Sequence, residues 1–523
     1  MELFNDNVVP PQFLQDLVDL KKDQQNLNRT TNQILFNPTI IGAKVENPNI
    51  SGGTIDDTPI PNPIPSDFLG LSDTPNSYSG QGDKYVKVNA GATALEFGAG
   101  GGGGGAIESA TLVVAAVDSL DATRADYVCD GTNDETEIMA ALTALPAGGG
   151  RVVLLEGTYT IHAPGIWLSD NQTLTGNGAS TILKAVASAE YDFAIVQNYG
   201  SVLSEGGVPS VINSNIIISN MTIDGNKANN ATFCTNPITV NCLLYGIIEN
   251  CWIINGSGAG STYTGDGIAL GKFCDHIVIH NNFILNNDYD GIRCYPGISG
   301  GAGSVDVKII NNTVIGNDNG ISVVCDFVNY ADGHLISNNV CKNNISTGIL
   351  IIGNRSQVAG HVLITNNNCI ANDIGISVTE GASHCSIANN ITNDSTQYGI
   401  FILGSLNLIS ANMVTTNGKH GIYVSWTETP EKISYENSII GNQIYDNGAS
   451  AYLYSGIFLE GVNSINVQLN KISGNNHVYG IDVDPTTGFA FITNNDLIYS
   501  GGDGDINNLG YDTTTAAGNR LTP

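Results

Sequence analysis

Two aspartates stand at equivalent points of a repeated phrase: Asp266 in TGDGIAL and Asp290 in DYDGIRC. If the copies stack as neighbouring strands, their Cα atoms come about 5 Å apart. Carboxylates that close push one pKa upward, which supplies an acid and a base near neutral pH. Glycoside hydrolysis uses such a pair. Arg293 follows three residues after Asp290 and is the nearby cation that could hold an acidic sugar. The next copy carries Asn319 in the slot of the two acids. An Asp before Gly is also an ordinary turn residue, so a turn or cation-binding role is the competing reading.

The phrase itself is Gly-Ile, any residue, then an apolar one, and it recurs at Gly267, Gly291, Gly320, Gly348, Gly375, Gly399, Gly421, Gly456 and Gly480. The glycines lie 22 to 35 residues apart, the period of one solenoid coil. Ile and the apolar residue two further on are expected inside, on one side of a strand. A second marker, one Asn per coil, runs through Asn220, Asn250, Asn282, Asn312, Asn339, Asn367, Asn390, Asn412, Asn442, Asn470 and Asn495, and is expected to form an amide ladder at a bend.

The distance from Gly-Ile to the next Asn varies from 13 to 21 residues, so the inserts fall on one flank, where solenoids build binding surfaces. These inserts and their approaches carry Tyr295, Phe327, Tyr330, Arg355, Trp426, Glu428 and Glu431. The outward positions after Gly-Ile read Ala269, Arg293, Ser322, Leu350, Ser377, Phe401, Tyr423, Phe458 and Asp482. Phe401, Tyr423 and Phe458 therefore form an aromatic stripe that suits either sugar rings or a neighbouring subunit. Candidate catalytic residues are Asp266 and Asp290. Candidate substrate-binding residues are Arg293, Asn319, Tyr295, Tyr330, Trp426, Phe401 and Tyr423.

Composition narrows the partners. Forty-nine acidic against 19 basic residues give a net charge of −30, which argues against nucleic acid and anionic membranes. Sixty-two glycines and only 13% charged residues indicate a turn-rich all-β chain. The 10 cysteines show no zinc spacing and are expected as reduced thiols inside the coil, with Cys341 and Cys369 in one register. No cofactor or metal is expected, apart from a weak D-x-D-x-N calcium-type spacing in GGDGDINN at Gly501–Asn508. The start, MELFNDNVV, lacks the features of a cleavable export signal, and no run approaches membrane-span length.

Five regions are expected. Residues 1–65 form a stem. Phe13, Leu20, Leu27 and Ile34 repeat every seven residues there, as a coiled coil or a lone amphipathic helix, ahead of the tandem decapeptides NPTIIGAKVE and NPNISGGTID. Residues 66–97 form a small β module, 98–105 a Gly linker, 106–500 the solenoid and 501–523 a tail. Near residues 133–145 a capping helix is expected, with Thr132 and Glu135 at capping-box spacing and Ile138, Ala141, Leu142 and Leu145 on one face.

The stretch Ala125–Ile161, a helix followed by the buried strand Val152–Leu155, resembles the start of pectate-lyase-like right-handed parallel β-helices. Polygalacturonase-like glycosidases of this fold carry catalytic Asp residues just before Gly or Cys at this strand. Asp266 and Asp290 match that pattern, whereas Asn319 replaces the family's following His and no Arg-x-Lys element is present. The decapeptides and the whole layout resemble bacteriophage tailspikes and tail fibres. That resemblance implies a homotrimer on a virion tail, attached to a tail or baseplate protein through its N-terminus and released by lysis. It also implies recognition of a bacterial surface polysaccharide with cleavage of it; the alternatives are a non-catalytic adhesin and a polysaccharide lyase.

Overall fold

The computed structural model describes residues 84–88, 95–99 and 110–521, apart from 203–210, 260–264, 296–303, 325–332, 354–358, 427–433, 449–452, 475, 499, 501 and 516–517. The stem expected over residues 1–65 lies outside the described residues, as do Phe327, Tyr330, Arg355, Glu428 and Glu431. The chain divides into two compact units, Met1–Gly102 and Gly103–Pro523. In the first, Lys84–Val88 pairs antiparallel with Leu95–Ala99, a hairpin that begins in the expected β module and runs two residues past its expected end at 97, into the expected linker.

The second unit is a parallel β-helix with three long sheets of 13, 16 and 12 strands. We number these faces 1, 2 and 3. Face 1 contains the Gly-Ile strands, which pair coil to coil in the expected register, for example Ile268↔Ile292 and Phe401↔Tyr423. Thirteen strands about 4.8 Å apart make this face roughly 60 Å long. Ile after Gly and the residue two further on are buried in every Gly-Ile copy, from Ile268 and Leu270 to Ile481 and Val483. The stack also continues past residue 500: Gly504–Asn508 pairs with Tyr479–Val483 where a tail was expected.

The helix α1 (Glu135–Ala144) closes the first coil, burying Ile138, Ala141 and Leu142. Its expected capping box is not formed. Asp134, rather than Thr132, precedes the helix, and Glu135 accepts the His162 N–H at 2.9 Å instead of reaching back. Asp134 accepts the N–H groups of Gly131 (2.8 Å) and Thr160 (2.7 Å), which ties the helix entry to the next strand.

The corners explain the Asn usage. Asn339 shows the rule: its backbone N–H and its amide both donate to Asn367 Oδ1, at 2.9 and 3.0 Å, and its amide also donates to the Ile309 carbonyl. This ladder runs from Asn282 to Asn495 and on to Asn519. Asn220 and Asn250 do not belong to it. They sit one residue early, at φ 57° and 54°, and Met221 and Cys251 fill the inward slot. The mismatch comes from Asn-Asn doublets such as Asn281-Asn282 and Asn366-Asn367, in which the first Asn adopts the left-handed corner and only the second enters the ladder.

A second ladder went unread in the sequence: Asn287, Asn317, Asn344 and Asn372, then Asn417 and Asn447. It supplies the reason for the repeated glycine. A Cβ on Gly348 would stand 2.6 Å from the Gly375 carbonyl oxygen and 2.9 Å from Asn372 Nδ2. The nine described cysteines are free and buried, as expected, with Cys341 and Cys369 paired in register.

Replacing Asn367 with Ala strips the acceptor from the Asn339 N–H and the donor from the Ile336 carbonyl. At about 1–3 kcal/mol for each orphaned buried group, Asn367→Ala should cost roughly 2–6 kcal/mol in chemical denaturation. Its neighbour Asn366 is exposed and at φ 57°, so Asn366→Ala should cost only about 1–2 kcal/mol, the left-handed backbone penalty. Equal costs would refute the ladder account.

Candidate functional site

Asp266 and Asp290 lie at the start of adjacent face 1 strands, and the Asp290 N–H donates to Asp266 Oδ1 at 3.2 Å. Asn319 Nδ2 donates to Asp290 Oδ1 at 2.8 Å, and Asn319 Oδ1 in turn accepts the Thr347 N–H at 3.1 Å. Farther along, the Ser455 N–H donates to His420 Nδ1 at 2.9 Å. In the slot before Gly, Asp266, Asn319 and His420 thus each accept a backbone N–H of the next coil.

The two acids are each only 1% exposed, so they face a buried corner rather than an open groove. Burial, and next the neighbouring Asp266 charge, pushes the Asp290 carboxyl up to about 7, against the opposing pull of Asn319 and Arg293. Arg293 covers the pair. Its Nη1 lies 3.7 Å from Asp266 Oδ2 and its Nε 3.8 Å from Asp290 Oδ2, longer than a charge-assisted hydrogen bond. Its guanidinium also stands over the rings of Tyr289 and Tyr295, at 5.0 and 4.8 Å. The structure therefore groups Asp266, Asp290, Arg293, Asn319 and Tyr295 and adds Tyr289, which the sequence had not singled out.

A second group lies farther along the same face. From Arg293 the outward register passes through Ser322, Leu350 and Ser377 to Phe401. Four coil steps at about 4.8 Å place the groups roughly 19 Å apart. Phe401 stacks on Tyr423 (5.0 Å, 27°) and Tyr423 on Phe458 (5.3 Å, 25°), so the expected stripe is a stack of half-buried rings. Tyr398 tilts against Phe401 at 5.3 Å, and His420 stacks on Phe458 at 4.6 Å. Trp426 packs where Gly461 leaves room, since a Cβ there would meet its ring at 2.0 Å.

Polar atoms edge this shelf. Tyr423 Oη donates to Glu460 Oε2, and Ser425 Oγ does so at 2.9 Å. Asp482 Oδ1 accepts from Asn507 Nδ2 at 2.9 Å, and burial raises its carboxyl above the usual range. Tyr398, His420, Tyr454 and Glu460 were missed in the sequence. Their signal was present in the period: Tyr398 and His420 precede Gly-Ile, and Glu460 lies two residues beyond the outward Phe458.

Residues 327–497 match the family model described as "Right handed beta helix region". No curated protein matches the chain. Among solved structures, the Dettilon tailspike protein aligns with TM-score 0.51 at 14% identity, over 73% of this chain and 66% of that one. Bacteriophage CBA120 tailspike protein 3 aligns with TM-score 0.52 at 12% identity, over 75% and 58%. The surface protein and adhesin PfbA of Streptococcus pneumoniae aligns with TM-score 0.51 at 16% identity, over 73% and 95%. At these identities the similarity is one of fold, and the fold of this chain is the right-handed parallel β-helix that those tailspikes and that adhesin share.

Proposed function

We propose that this chain binds an extended bacterial surface polysaccharide along face 1, in the setting of a phage tailspike. The observation that carries this reading is the stacked row Phe401, Tyr423 and Phe458 with Glu460 at its edge. A half-buried row of stacked rings offers an apolar strip along which sugar rings pack, and a carboxylate beside it accepts sugar hydroxyls. The tailspike and adhesin neighbours give such a role a precedent on this fold. The sequence resemblance of the stem supplies the virion-tail setting and the homotrimer.

A second reading, hydrolysis at Asp266 and Asp290, is favoured by the elevation of the Asp290 carboxyl beside a second acid. It requires Arg293 to move aside, because both acids are buried beneath it. Burial of the pair makes binding through the aromatic row the better supported role.

Affinity electrophoresis through capsule and lipopolysaccharide extracts should retard the full chain in at least one polymer. Phe401→Ala and Tyr423→Ala should each weaken that retention roughly tenfold, the equivalent of about 1.4 kcal/mol. Retention that is indifferent to both substitutions would move the binding site elsewhere. Sedimentation of the full chain should give about three times its 54.8 kDa mass, and a monomer would remove the trimer.

Charge at the acid pair has its own signature. The folded chain keeps a proton on Asp290 up to about 7, whereas an ordinary Asp loses it near 3.8. Folding therefore takes up a proton between these values, so this group makes stability fall as pH rises from about 4 to about 7. Denaturation midpoints at pH 5 and pH 8 should differ in that direction, and the difference should shrink in Asp290→Asn.

A further inference from the structure

The aromatic shelf holds three features that ring packing alone leaves unused. The first is His420, 7% exposed and held among the rings of Tyr398, Tyr423, Tyr454 and Phe458. Its Nδ1 accepts the Ser455 N–H, and burial pushes its pKa down to about 3. The ring is therefore neutral with its proton on Nε2, and among the described residues that N–H has no protein acceptor. That N–H is available to donate to a hydroxyl from outside the protein.

The second and third features are Glu460 and Asp482. Unlike Asp266 and Asp290, both are half-exposed. Asp482 pairs in register with Phe458 on the next coil, and Glu460 lies two residues beyond Phe458. With coils about 4.8 Å apart and a rise of about 3.3 Å per residue, their Cα atoms are about 8 Å apart. Each carboxyl is oriented by protein donors: Glu460 by Tyr423 and Ser425, Asp482 by Asn507 and Ser455.

We infer that Glu460 and Asp482 are a solvent-reachable carboxyl pair that hydrolyses a glycosidic bond of the polysaccharide lying on this shelf, an inference that rests on the glycan-binding reading above. Asp482 gives its proton to the bridging oxygen as the bond from that oxygen to the anomeric carbon breaks. A water oxygen forms the new bond to the anomeric carbon, and Glu460 takes the proton that this water releases. The products are two sugar chains bearing the elements of one water, and exchange with solvent restores both carboxyls. Direct displacement by that water, with no covalent intermediate, inverts the anomeric carbon. The raised carboxyl of Asp482 suits the acid role. His420 Nε2–H would donate to a hydroxyl of the bound sugar and so fix its position on Phe458.

The test uses full-length protein and the polymer that retards it in electrophoresis. Wild type should release reducing ends, with inverted product anomers by proton NMR. Glu460→Gln and Asp482→Asn should each lower the rate at polymer concentrations that saturate binding at least about 100-fold while retaining the circular dichroism of wild type. Polymer that is bound but not cut overturns the inference and leaves the binding reading intact. Cleavage that survives both substitutions, or that Asp290→Asn alone abolishes, overturns it as well by placing the reaction elsewhere. Failure of every extract to retard the chain removes the binding reading, and this inference with it.

Discussion

Everything in the solenoid depends on satisfying backbone groups at buried corners. A coil that turns between two sheets points N–H and C=O groups inward, where water cannot reach them. The stacked asparagines answer this with one residue type. Asn312 accepts the Asn282 N–H and amide at Oδ1, while its own amide donates to the Ile279 carbonyl. A primary amide offers two donors and an acceptor at the end of a short side chain, where a hydroxyl has a single proton to donate. Loss of one rung orphans both a donor and an acceptor of the preceding coil, which is why the ladder continues without substitution from Asn282 to Asn519.

The glycine of each Gly-Ile phrase follows from the second ladder. Asn287, Asn317, Asn344 and Asn372 bring their amides to 2.8–3.0 Å of where a Cβ would stand on Gly267, Gly291, Gly320 and Gly348. Two conspicuous sequence features, Gly-Ile and Asn-Asn, are therefore one constraint seen from opposite sides of the coil. The period, the inward Ile and the stacking register were legible because each repeats in every coil. The second ladder was less legible because Ser395 and His477 interrupt it. The registration of Asn220 and Asn250 failed because in a doublet grammar either Asn can be mistaken for the rung, and conformation alone separates them.

The same logic reshapes the acid pair. The slot before Gly holds Asp266, Asp290, Asn319, Thr347 and, farther on, His420 and Ser455. Asp266, Asn319 and His420 accept a backbone N–H from the next coil there, so an acid in this slot has a structural task before any chemical one. Spacing alone brought the two carboxyls together correctly. Exposure was beyond it, because the side chain that covers them, Arg293, is on the outward row and folds back over the slot.

That arrangement separates the two groups on face 1 by charge. Arg293 already faces two carboxyls within 4 Å, so an acidic sugar arriving there would compete with protein groups for one guanidinium. At the aromatic shelf the edge groups are Glu460, Asp482 and hydroxyls, with Lys419 held 5.4 Å over the Tyr398 ring. Carboxylates beside stacked rings accept hydroxyls and repel anions, which matches an uncharged pyranose better than an acidic one. With a chain charge of −30 adding a general repulsion, the aromatic shelf is where a neutral stretch of glycan gains contact without an electrostatic cost. Recognition on this rod therefore follows from which outward residues the invariant corners leave free to vary.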